Sequence, residues 1–96
     1  AADCIGIYEN KETIIDFKQS NKPKKDEWID DYYLQCAAYS LAHNKVHGSN
    51  ITQAAILLCT KENTFQRFIV EGERLINYQN QFMEKVEQFY SQRMVN

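Results

Sequence analysis

Ninety-six residues, 44% of them hydrophobic and 12% aromatic, can bury one modest core, so residues 1–96 read as a single domain. Eleven Lys and Arg against 13 Asp and Glu leave a formal charge of -2, which excludes the global basic field of a histone-like DNA binder and makes any nucleic-acid contact local. No apolar run reaches the roughly 18 residues of a membrane span and no charged-then-apolar leader opens the chain, so no membrane partner and a cytoplasmic location are expected.

The elements follow in chain order. Residues 4–8 and 13–17 are rich in β-branched and aromatic side chains and are separated by the polar Glu9-Asn10-Lys11-Glu12, which predicts a β-hairpin with a four-residue turn. Residues 18–27 are polar throughout and hold the single proline, Pro23, which predicts a loop. From residue 28 to about 44, good helix formers follow Asp30 and Asp31, two carboxylates that suit the N-terminal end of a helix. Residues 45–50, with Gly48, end it.

Residues 51–60 contain the continuous apolar run 54–59, the mark of a central strand covered on both faces. After a turn at 61–63, residues 64–70 alternate as a strand antiparallel to it. Residues 73 to about 94 place Leu75, Tyr78, Phe82, Val86 and Phe89 at steps of three and four, an apolar stripe on a long helix. The order β-β-α-β-β-α predicts an α/β fold with a mixed, partly parallel sheet flanked by helices.

Chemistry concentrates at Asp16-Phe17-Lys18. Strand alternation puts Asp16 and Lys18 on one face, with Phe17 expected to point into the core. Asp3 begins the other strand of the hairpin, so its start lies opposite the end of its partner. Two carboxylates and one ammonium are expected to converge at a solvent-accessible spot, a set that suits Mg²⁺ or Mn²⁺ and the cleavage of a phosphodiester. Lys22, Lys24 and Lys25 form a flexible basic loop suited to a phosphate backbone, although such loops are often only solvated. Trp28, Tyr32 and Tyr33 are candidates for stacking on bases or for core packing. His43 and His47 read as surface residues beyond the helix, and the odd set Cys4, Cys36 and Cys59, each in an apolar run, as buried thiols of a reducing compartment.

Asp3, followed thirteen positions later by Asp16-Phe17-Lys18, then Ser20-Asn21-Lys22-Pro23-Lys24 and Gln35-Cys36-Ala37-Ala38-Tyr39, resembles the signature of the PD-(D/E)xK nucleases. The match is to the RecB-like and mitochondrial-genome-maintenance exonuclease type, including its Q-x-x-x-Y motif. The resemblance implies a restriction-endonuclease-like core and a Mg²⁺- or Mn²⁺-dependent DNA exonuclease of replication, recombination or repair, favouring single strands or ends. By it Asp3, Asp16 and the backbone carbonyl of Phe17 are metal ligands, Lys18 is the catalytic lysine, and Gln35 and Tyr39 brace the active site. The chain departs from the family at Ala1-Ala2-Asp3, where a glycine-rich entry is usual, and it shows no preceding acid- or His-bearing helix. The expectation is therefore of a fragment lacking its N-terminal helix, with little or no activity alone, and prone to dimerise through an uncovered sheet face formed by Ile5, Ile7, Ile14 and Phe17. A non-catalytic nucleic-acid-binding or assembly module that keeps the nuclease fold is the alternative.

Overall fold

The structure, a computed structural model, describes residues 3–94 and the side chains of residues 4–92. Strands β1 (Asp3–Tyr8) and β2 (Lys11–Ser20) form the expected hairpin. Its register pairs Asp3 with Asp16, Ile5 with Ile14 and Tyr8 with Lys11. The turn is therefore Glu9-Asn10 alone, with φ of 51° and 64°, the two left-handed residues that a type I′ turn needs to match the twist of its strands. Lys11 and Glu12, expected in the turn, belong to β2. Lys11 is held there by an ion pair to Glu71 at 2.8 Å, and the Glu12 carboxylate accepts the Asn50 N–H at 2.8 Å. At its other end β2 runs on past Lys18 to Ser20, because Lys18, Gln19 and Ser20 find ladder partners in Leu58, Cys59 and Thr60.

A 3₁₀ turn, Asp26–Trp28, precedes helix α1 (Asp30–His47). The helix starts two residues later than expected and ends three later, at Gly48, whose φ of 64° supplies the left-handed residue that closes many helices. His43 and His47 consequently lie on α1, not beyond it. Strand β3 (Gln53–Thr60) runs parallel to β2 and antiparallel to β4 (Phe65–Glu71), and α2 (Gly72–Met94) completes the chain. The result is a mixed α/β fold: a four-stranded sheet in the order β1-β2-β3-β4 with two helices.

Both helices lie on one face of the sheet. Ile14, Ala54, Ile56 and Val70 point from the strands into a cluster with Ile29, Tyr33, Cys36 and Ala37 of the first helical segment and Leu75 and Tyr78 of α2. Burying each of these large side chains contributes on the order of 1.5–3 kcal/mol. The opposite face carries the rows Ile15–Ala55–Ile69 and Phe17–Leu57–Arg67, and among the described residues no helix covers it. Strand β3 is thus covered by helices on one face only, contrary to expectation. The expected uncovered face is split: Phe17 lies on it and is exposed, but Ile5 and Ile7, paired with Ile14 and Glu12, point to the helix side, where they are exposed at the sheet edge and Ile14 is fully buried. The stripe on α2 is buried at Leu75 and Tyr78 and half-buried at Phe82 and Val86, but Phe89 is exposed. At about 1.5 Å per residue the helix outruns the sheet it packs on.

Candidate active site

The helix-covered face decides the site. On β2 the alternation Ile14, Asp16, Lys18 points toward the helices, and Ile15, Phe17, Gln19 points away. Asp16 is 0% exposed and Phe17 53% exposed. The expected pairing of Asp16 and Lys18 on one face holds, but the inside and outside are exchanged: Phe17 is not a core residue, and the aspartate is not at an open edge. In register Asp16 lies between Asp3 on β1 and Ile56 on β3, and Ile56 lies opposite Phe68. On the β3 side the row thus places a carboxylate against apolar neighbours.

Among the described residues neither oxygen of Asp16 accepts a hydrogen bond. Its one countercharge there is Lys18, whose Nζ lies 3.1 Å from Oδ2. That distance defines an ion pair, but it leaves the hydrogen-bonding capacity of a buried carboxylate unmet, a costly condition in a low-dielectric interior. The Lys18 side chain, 14% exposed, is itself held from two further sides. Its ammonium donates to Gln35 Oε1 at 3.1 Å and sits 4.9 Å from the centre of the Tyr32 ring. Asp16, Lys18 and Gln35, which lie far apart in sequence, are therefore brought together. Strand β2 supplies the first two at i and i+2, and α1 returns over the sheet to supply Gln35 one turn into the helix.

Tyr39 follows Gln35 by one helical turn, is half-exposed, and stacks on His43 with ring centres 6.3 Å apart. The backbone of Asp3 is opposite Asp16; its side chain lies outside the described residues. Among the described residues no three His, Cys, Asp or Glu side chains group closely enough to hold a metal. A buried carboxylate whose oxygens accept no hydrogen bond among the described residues still suits a hard cation, since Mg²⁺ and Mn²⁺ commonly take one or two protein carboxylates and fill the remaining positions with water and phosphate.

The basic loop is less free than expected. Lys24 exchanges two hydrogen bonds with the Gln66 side chain, its N–H donating to Oε1 and its carbonyl accepting from Nε2, both at 2.8 Å. Lys25 lies 5.3 Å over the exposed Trp28 ring. Beside Lys18, beyond the C-terminal ends of the parallel pair β2 and β3, opens a crevice of about 390 Å³ lined by Gln19, Ser20, Lys24, Tyr32, Thr60 and Lys61, among others. Thr60 and Lys61 had no motif to mark them; their place comes only from the parallel register of β3 with β2. Of the three aromatic residues at the start of the helix, Tyr33 is core, Trp28 is exposed and Tyr32 is half-buried against Lys18. Cys36 is buried and Cys59 half-buried, while Cys4 is exposed on the uncovered face, not in the core.

A second polar cluster ties the loop to both helices. The Tyr33 hydroxyl donates to Asp26, Arg74 bonds the other Asp26 oxygen at 2.5 Å, and the Tyr78 hydroxyl donates to Asp30 at 2.7 Å. The hydrogen bond from Tyr33, aided by the Arg74 guanidinium, holds Asp26 below its usual carboxylate range. Burial, reinforced by the Asp26 carboxylate, pushes the Tyr33 phenol well above its ordinary range. This cluster anchors the first turn of α1, and with it the register of Tyr32 and Gln35 over Lys18.

No protein-family model matches the chain, and no curated protein matches it.

Proposed function

We propose that the chain is a metal-dependent deoxyribonuclease of the PD-(D/E)xK, RecB-like type, with a restriction-endonuclease-like core, hydrolysing phosphodiesters in single strands or at DNA ends. The observation that carries this reading is the Asp16 carboxylate: fully buried, with neither oxygen hydrogen-bonded among the described residues, and one ammonium 3.1 Å away. For stability alone an apolar pair of similar volume would serve as well or better, so the arrangement points to a charge that arrives with function.

Asp16, with Asp3 across the hairpin and the carbonyl of Phe17, would hold Mg²⁺ or Mn²⁺. When bound, such an ion lowers the pKa of an attacking water and stabilises the leaving oxygen. The chain's own residues do the rest. Gln35 accepts one of the three protons of Lys18, and the ammonium has others to offer a scissile phosphate oxygen or the attacking water. Tyr32 and Asp16 keep that ammonium from swinging away. Tyr39, one turn further along α1, braces the same helix face. Lys24 lines the crevice at the strand ends, and with Lys22 and Lys25 of the same loop it would meet the backbone of the nucleic acid. Phe17, exposed on the face away from the helices, and Ile5 and Ile7, exposed on the edge strand β1, leave surfaces for a second copy of the chain.

Incubating labelled single- and double-stranded oligonucleotides with the protein in Mg²⁺, Mn²⁺ or EDTA tests the proposal. Cleavage that requires the divalent ion supports it. Tight binding with no cleavage under any of these conditions overturns the enzyme and supports the non-catalytic binding module.

A further inference from the structure

The exposed face of α1 continues beyond Tyr39 to His43 and His47, one turn apart, with ring centres 4.4 Å from each other. His43 is not a freely turning surface ring. Asn44 is pinned at both ends of its carboxamide: Oδ1 accepts the Ile51 N–H at 2.7 Å and Nδ2 donates to the Ile51 carbonyl at 3.3 Å. Those two backbone partners fix which atom of the carboxamide is the oxygen. Ser49 Oγ then gives its only proton to Asn44 Oδ1 at 2.9 Å. Its contact with His43 Nδ1 at 2.7 Å leaves it one role, that of acceptor. The proton of neutral His43 therefore sits on Nδ1, and the lone pair sits on Nε2.

We propose that His43 and His47 form a second metal site, distinct from Asp16, that takes a borderline divalent ion such as Zn²⁺, Ni²⁺ or Cu²⁺. Three observations meet here. Two imidazoles at i and i+4 lie on one helix face, the spacing at which side chains one turn apart reach a shared point. One ring is held in the ligating tautomer by a hydrogen-bond chain, the arrangement that orients metal-bound histidines and raises their basicity. A surface hollow of about 200 Å³, lined by Tyr39, Ala42, His43, Val46 and His47, gives the ion and its waters room, and among the described residues no carboxylate lines it. Imidazole without carboxylate selects the later transition metals and not Mg²⁺ or Mn²⁺. The two sites thus divide metals by ligand chemistry on the same protein.

The test is a Zn²⁺ and Ni²⁺ titration followed by calorimetry and by ring ¹⁵N spectra of the two histidines, run in a Cys4→Ser background so that the exposed thiol does not compete. One ion per chain should bind at the histidines, counted by their ring signals. The His43 Nε2 and His47 signals should move together, a hundredfold excess of Mg²⁺ should leave them unmoved, and His47→Gln should weaken binding at least tenfold. Asp16→Asn should leave it unchanged, which separates this site from the nuclease proposal. Spectra placing the neutral His43 proton on Nε2, or equal Zn²⁺ affinity in wild type and His47→Gln, would overturn the inference.

Discussion

Replacing Lys18 by Met keeps the apolar stem and removes the one countercharge that the described residues offer to a carboxylate with no exposed surface. Breaking a buried ion pair from one side leaves an uncompensated charge, at a cost of about 3–5 kcal/mol. A domain of this size melts roughly 4–8 °C lower per kcal/mol lost, so Lys18→Met should lower Tm by at least about 12 °C in EDTA. The same substitution in an Asp16→Asn background removes a lysine from beside a neutral amide and should cost less than about 1 kcal/mol. The reverse truncation is asymmetric: Asp16→Asn leaves Lys18 partly solvated and still bonded to Gln35. At the solvent-accessible spot expected from the sequence neither change would carry a burial cost; burial of the aspartate reverses that for Lys18. Urea unfolding of the four proteins gives the cycle, with a coupling of about 2 kcal/mol or more expected. Lys18→Met costing the same in both backgrounds would refute the reasoning.

Mn²⁺ at about ten times its dissociation constant adds about 1.4 kcal/mol to a folded state that alone binds it, so it should raise the melting temperature by about 6–11 °C. Asp16→Asn should cancel that rise, and an equal rise in both proteins would place the ion elsewhere. Asp26, held below its ordinary 3.8 first by Tyr33 and then by Arg74, contributes stability that is present above pH 3.8 and lost as the pH falls below it. Tyr33, raised above its ordinary 10.0 by burial, contributes stability that is present below pH 10.0 and lost as the pH rises beyond it. Chemical unfolding across both ranges should show a shallower acid loss in Tyr33→Phe, and identical acid slopes would contradict the assignment. Replacing Glu9-Asn10 by Asn-Gly removes the left-handed penalty of a glutamate at φ 51° and should stabilise the chain by about 1 kcal/mol; a loss of stability would mean that the turn is not type I′.

The succession of elements was legible because each carries a local signal: the alternation of β4, the stop at Gly48, the apolar stripe through Leu75 and Tyr78. The facing of Asp3 and Asp16 followed from hairpin geometry alone, and the shorter turn left it intact because the backbone register pairs them directly. What the sequence did not reveal was the side on which the helices lie. On β2, Ile15 and Phe17 outweigh Ile14 and Asp16 in apolar surface, so local hydrophobicity turns the aspartate outward. On β3 the two faces, Ala54-Ile56-Leu58 and Ala55-Leu57-Cys59, are almost equal and cannot correct it. The choice is made by long-range packing, where Tyr33 and Leu75 cover the Ile14–Ala54–Val70 row. The partners of Lys18 were half visible, since Gln35 came with a motif and Tyr32 only with a helix start. The Asp26–Tyr33–Arg74 cluster was invisible because its members lie up to 48 residues apart.

The central claim is that the buried Asp16 is present for catalysis and not for folding or DNA affinity. Asp16→Asn decides it, because the isosteric change leaves the fold and the lysines of the loop in place. Single-stranded oligonucleotide binding is measured in EDTA, and cleavage of the same oligonucleotide is then measured in Mn²⁺. The account predicts binding within about threefold of wild type and a fall in cleavage of at least about a thousandfold, the scale of lost transition-state stabilisation when a metal-centred site is disabled. Cleavage by Asp16→Asn at the wild-type rate, or a wild-type protein that binds the strand and never cuts it, would contradict the account.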